Sequence, residues 1–157
     1  MSQRLQKFIP LHQVLQQAER FHATASALLL EWSDADDGGQ IGRFLKLAAN
    51  HERVVADALS HALASDVDIG SKETVYQNPP ETIPGDEDLS ALASERRDLD
   101  GFAAGLHVLH RRWISVYEAL RATNPARCVD DLLGSCLELV QRLERQLSSA
   151  HVQLQDL

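Results

Sequence analysis

The sequence predicts an all-α fold: a four-helix bundle made of two antiparallel hairpins joined by a long crossover. Apolar residues recur at spacings of four and three over four long stretches. That spacing draws one stripe down a helix and suits packing at shallow angles. Period-2 alternation is absent and aromatic residues make up only 5% of the chain, so no strand is expected. The breaks between stretches are two short turns and one long Pro-containing segment.

The first helix is expected over about Pro10 to Trp32, with the stripe Leu11, Leu15, Ala18, His22, Ala25, Leu29, Trp32. The second runs over about Gly38 to Ala64, with Ile41, Leu45, Ala48, Glu52, Val55, Leu59 and Ala62. Between them, Ser33 to Gly39 is a turn, with Asp37 a candidate N-cap. The third helix is expected over about Asp88 to Ala122, with Leu99, Ala103, Leu106, His110, Trp113, Tyr117 and Leu120. The fourth spans about Pro125 to Leu154, with Val129, Leu133, Cys136, Val140, Leu143, Leu147, Ala150 and Leu154. Thr123-Asn124-Pro125 ends the third helix, with Pro125 at the first position of the fourth. Short turns pair the helices as antiparallel neighbours. Ser65 to Glu87 remains, holding Asn78-Pro79-Pro80 and Pro84-Gly85. A helix of this kind is ~40 Å long, whereas this segment extended reaches ~75 Å. It is therefore expected as an ordered crossover with Val75, Tyr76 and Ile83 to bury, inside a single domain spanning residues 1–157.

A net charge of -8 argues against nucleic acid and against an anionic membrane surface as partners. The longest small-or-apolar run, Ala23 to Leu30, falls far short of the ~20 residues that span a bilayer. The first residues lack the apolar core of a secretory signal. A cytoplasmic location is the expectation, with Cys128 and Cys136 as reduced core thiols too far apart along one helix to bridge.

Two antiparallel hairpins with one long crossover resemble the ferritin-like superfamily. Its di-iron members carry a Glu on each of two helices and Glu-x-x-His on each of the other two. Glu19 stands in the first helix where that resemblance places a carboxylate, and Glu52 stands in the second. The histidine expected after Glu52 falls on Val55, and Glu138 in the fourth helix is followed by Gln141. The third helix offers His107 or His110 where a Glu is expected, and the first carries its own Glu-x-x-His as Glu19 and His22. Neither full Glu-x-x-His falls in its expected place; the candidate metal set is Glu19, His22, Glu52 and His107, for which iron or zinc would be the cofactor, and no cofactor is the favoured expectation.

Geometry adds an independent expectation. With the first turn centred near residue 37, Leu29 meets Leu45, Leu15 meets Leu59, and His22 meets Glu52. Burying either polar group alone is costly. Paired, they form a hydrogen bond that fixes register or contribute to a metal site, with His51 one residue off the stripe. His110 is expected ~10 Å below that level as a core or interface histidine. Arg111 and Arg112, and Arg96 and Arg97, are expected in surface ion pairs with Glu95, Asp98 or Glu118. Phe44, Leu47, Val54 and Ala58 widen the apolar arc of the second helix, which points to a homodimer. The function expected is a non-enzymatic interaction or small-ligand-binding module with a protein or small-molecule partner. The alternative is a divergent metal-binding oxidoreductase.

Overall fold

The computed structural model describes residues 7–35, 39–64, 74–77, 83–95, 97–124 and 126–156. The order is β1 (Lys7–Pro10), α1 (Leu11–Ala35), α2 (Gln40–Ala64), β2 (Thr74–Gln77), α3 (Asp86–Ala93), α4 (Leu99–Thr123) and α5 (Arg127–Gln155). The class is all-α, as the spacing predicts. No helix among the described residues is long and apolar enough to cross a membrane.

Burial follows the predicted stripes. On α1 every stripe residue from Leu11 to Trp32 is buried, together with Val14 and Phe21. On α2 Leu45, Ala48, Glu52, Val55 and Leu59 are buried, while Ile41 and Ala62 at the two ends are half-buried. The stripes of α1 and α2 face each other, and Ser26 Oγ donates to the carbonyl of Ala49 at 2.8 Å. Helices α4 and α5 pair in the same antiparallel sense. Arg121 and Asp130 bridge them at 3.0 Å beside their connection, and His151 meets Asp100 at 2.8 Å at the far end. Asn124 closes α4 with its side-chain amide on the Leu120 carbonyl, at 2.8 Å. Asp37 and Pro125, expected at helix starts, lie outside the described residues, as do Arg96 and Asn78-Pro79-Pro80.

Three expectations are corrected. A two-stranded antiparallel ladder pairs β1 with β2, Lys7 opposite Gln77 and Pro10 opposite Thr74. Four residues are too few for period 2 to register in the sequence, and the ladder depends on a partner far along the chain. The predicted third helix is two helices. Ser94 and Glu95 make tight turn bonds to Ala91 and Leu92, and Asp98 then caps α4, its carboxylate accepting from the Asp100 amide at 3.2 Å. Leu89 and Leu92 on α3 continue the spacing of the α4 stripe, so periodicity bridges the break and only the Asp cap marks it. Of the two thiols, Cys136 is buried but Cys128 is exposed, one residue off the stripe that Val129 occupies.

Helix α3 lies close along α4 because Gly105 has no side chain. A Cβ there would meet Leu92 Cδ1 at 2.7 Å. Arg112 of α4 binds Asp88 of α3 at 2.6 Å, and Arg20 of α1 reaches Asp86 at 3.7 Å. The end of the predicted crossover is therefore ordered on both α1 and α4, and Ile83 packs half-buried on the core. The extra apolar width of α2 is partly covered within the chain. Phe44 is buried against Phe102 and His151, which leaves Val54 and Ala58 exposed. Leu89→Ala should cost about 2–4 kcal/mol by leaving a cavity beneath α3. Urea denaturation checks this, and an unchanged midpoint would mean that α3 is not docked.

Candidate functional site

Five side chains from α1, α2, α4 and α5 form one hydrogen-bonded chain, alternating imidazole and carboxylate. His22 Nδ1 donates to Glu52 Oε2 at 2.5 Å. The other Glu52 oxygen accepts from His110 Nε2, and His110 Nδ1 donates to Glu144 Oε2. The second Glu144 oxygen bonds His107 Nδ1. His22 and Glu52 are sealed inside the protein, whereas the His107 side chain is 50% exposed. The chain therefore runs from the interior to the surface. Its inner end sits on the stripes of α1 and α2 among small neighbours, Ala18, Ala25, Ala48 and Ala49, which leave room for an imidazole facing a carboxylate.

Protonation follows from the bonding. An ionised carboxylate only accepts, and His110 has a carboxylate on each ring nitrogen, so it must donate from both as an imidazolium. Burial opposes that charge, but the charges and hydrogen bonds of Glu52 and Glu144 outweigh it and push His110 up to about 10. Burial would raise Glu52, yet the charge of His110, then that of His22, holds its carboxyl well below the usual range. Glu144 is lowered in the same way: the bond and charge of His110, then His107, override desolvation. His51, beside the chain, is lowered by burial.

Two aromatic side chains, Trp113 and Tyr117, continue from His22. Its ring lies 5.9 Å from that of Trp113, and Trp113 stacks on Tyr117 at 5.8 Å. Among the described residues, His22 Nε2, Trp113 Nε1 and the Tyr117 hydroxyl are buried without a hydrogen-bond partner. Burial, then the neighbouring Cys136, raises the Tyr117 phenol well above its ordinary range.

Of the expected set, the structure joins His22 directly to Glu52. It brings in His107 only through Glu144 and His110, and Glu19 is half-buried on α1 without a bond to the chain. His110 is not ~10 Å below the pair; it bonds Glu52 directly. The expected offset assumed one unbroken third helix, and the break at residues 94–98 resets its register. Glu144 was missed altogether. The pairing rule that sets His22 opposite Glu52 finds it when applied to the second hairpin, where the register of the Arg121–Asp130 and Asp100–His151 pairs sets His107 opposite Glu144, with His110 one turn along. The first hairpin thus contributes one imidazole and one carboxylate, and the second two imidazoles and one carboxylate.

The set does not fit the ferritin-like di-iron group. That group needs a carboxylate from every helix and two Glu-x-x-His motifs, whereas α1 and α4 supply only imidazoles to this chain. Among the described residues no three His, Cys, Asp or Glu side chains converge to hold a metal ion.

The outer end opens onto the α4–α5 surface. A groove of about 340 Å³ is lined by His107 and Glu144 with Phe44, Leu106, Leu147 and Val152. A second groove, of about 450 Å³, shares His107, Glu144 and Ser148 and adds Arg111, Gln141 and Arg145. Arg112 pairs with Asp88. No protein family, curated protein or solved structure matches this chain.

Glu52→Ala should destabilise the protein by about 3–5 kcal/mol, since it strands two buried imidazoles. A thermal melt equal to wild type would contradict the buried chain. Stability should also vary with pH. The lowered Glu52 and Glu144 contribute fully above their unfolded values, near 4.3, and that contribution is lost as pH falls below them. The raised His110 contributes fully below about 6.5, and that contribution is lost as pH rises toward about 10. Urea midpoints should therefore peak between about pH 4.5 and 6.5. The alkaline decline should shrink in His110→Phe, and an equal decline in that variant would assign it to other groups.

Proposed function

We propose that α1, α2, α4 and α5 form a four-helix bundle of ferritin-like topology, acting as a non-enzymatic small-ligand-binding module with its ligand in the α4–α5 groove. Support for the topology comes from contact registers. Phe44 meets Phe102 and Glu52 meets His110 at the same sequence offset, as expected if α2 and α4 run parallel. The ordered end of the crossover beside α1 and α4 agrees.

One observation carries the ligand reading: a groove walled by apolar side chains opens over the exposed end of a buried polar chain. Apolar walls with a few fixed polar groups are the usual make-up of a small-molecule site. His107 and Glu144 are held in place by the chain behind them, so the polar edge of the groove is pre-organised. With 1-octanol as the probe, the methyl resonances of Leu147 and Val152 should shift saturably. Ala103→Trp, which fills the groove, should suppress those shifts while leaving the melt unchanged. Absence of any shift at these methyls would refute the groove reading.

A second reading is favoured by the donor chemistry. Three imidazoles and two carboxylates from four helices are the ligand types that zinc, iron and manganese accept. On this reading the protein is a divergent metal-binding oxidoreductase, and a cation would displace protons now held between imidazole and carboxylate. Protein purified without added metal or chelator should then hold a stoichiometric metal that Glu52→Ala loses. Sub-stoichiometric metal would remove this reading.

A further inference from the structure

We propose that the α4–α5 groove takes an amphipathic oxyanion, its carboxylate or phosphate head held between Arg111 and Arg145 and its apolar body lying along Phe44, Leu147 and Val152. The inference rests on the groove reading above and names the ligand class of that site.

Three observations support it. The first is the state of the two arginines. Arg112 is bound to Asp88 and Arg121 to Asp130, but among the described residues Arg111 and Arg145 form no ion pair or hydrogen bond. The chain carries 23 acidic and 15 basic side chains, so two unpaired guanidiniums in one groove run against its general charge.

The second is that the lining acids are already engaged: Asp100 in the apolar groove accepts from His151 and Gln155. Glu144 is the carboxylate that lines the groove with the arginines, and its two oxygens already accept from His107 and His110. The arginine forks are therefore left for a guest. Each guanidinium presents a planar set of donors matched to a carboxylate or phosphate edge, and Gln141 and Ser148 add polar groups alongside.

The third is continuity with the apolar groove. The two grooves share His107, Glu144 and Ser148. From Arg145 to Val152 the α5 axis advances about 10 Å, a length that an octyl chain spans. A head on the arginines would thus place its tail over the apolar wall, while the polar chain beneath fixes the floor between them.

Titration calorimetry with 1-octanol, octanoate, octyl phosphate and inorganic phosphate tests this. Octanoate or octyl phosphate should bind at least about tenfold more tightly than 1-octanol, and the stronger of the two identifies the head group. In an Arg111→Gln, Arg145→Gln double variant that preference should vanish while 1-octanol affinity stays unchanged. Equal affinity for acid and alcohol would overturn the oxyanion assignment and leave the groove reading standing. Inorganic phosphate binding as tightly as octyl phosphate would overturn the amphipathic assignment. Binding of none of the four would overturn both.

Discussion

His110 donates from both ring nitrogens, to Glu52 on the first hairpin and to Glu144 on the second. The rest of the interior is arranged around that contact. Apolar stripes bury well in several registers, because a shift of one helical turn exchanges one leucine for another. A charged imidazole between two carboxylates has one acceptable position. Displaced by a turn, it would leave buried charges without partners, each costing several kcal/mol. The contact specifies how the two hairpins meet.

The same bonding gives the protein a polar line through an apolar interior. At the inner end, His22 faces Trp113 and Tyr117 with buried polar atoms unpaired. At the outer end, His107 stands half-exposed beside the groove, with Arg111 and Arg145 alongside. An apolar wall, a hydrogen-bonded polar floor and two arginines thus meet where α4 packs on α5. The groove owes its rigid floor to side chains from the opposite hairpin.

Much of the fold was legible in residue spacing. Each long stripe named in the sequence is buried along most of its length, and the turns fall where Gly, Asn and Pro interrupt it. The His22–Glu52 pair was legible too, because a short turn fixes which residues of a hairpin face each other. The same rule places Glu144 opposite His107. Glu144 carries no Glu-x-x-His signature, because Leu147 stands three residues on. The break between α3 and α4 was obscured by Leu89 and Leu92, which keep the helical period across a reversal of the chain.

The sequence by itself determined the helices, their buried faces and the contacts within each hairpin, since these depend on residues a few turns apart or across one short connection. Only the tertiary structure decided how the hairpins register on each other, that β2 reaches back to β1, and that His110 completes both carboxylates. Those relations span the long crossover, along which local spacing carries no information about distance or direction. They are set by where buried charges find partners.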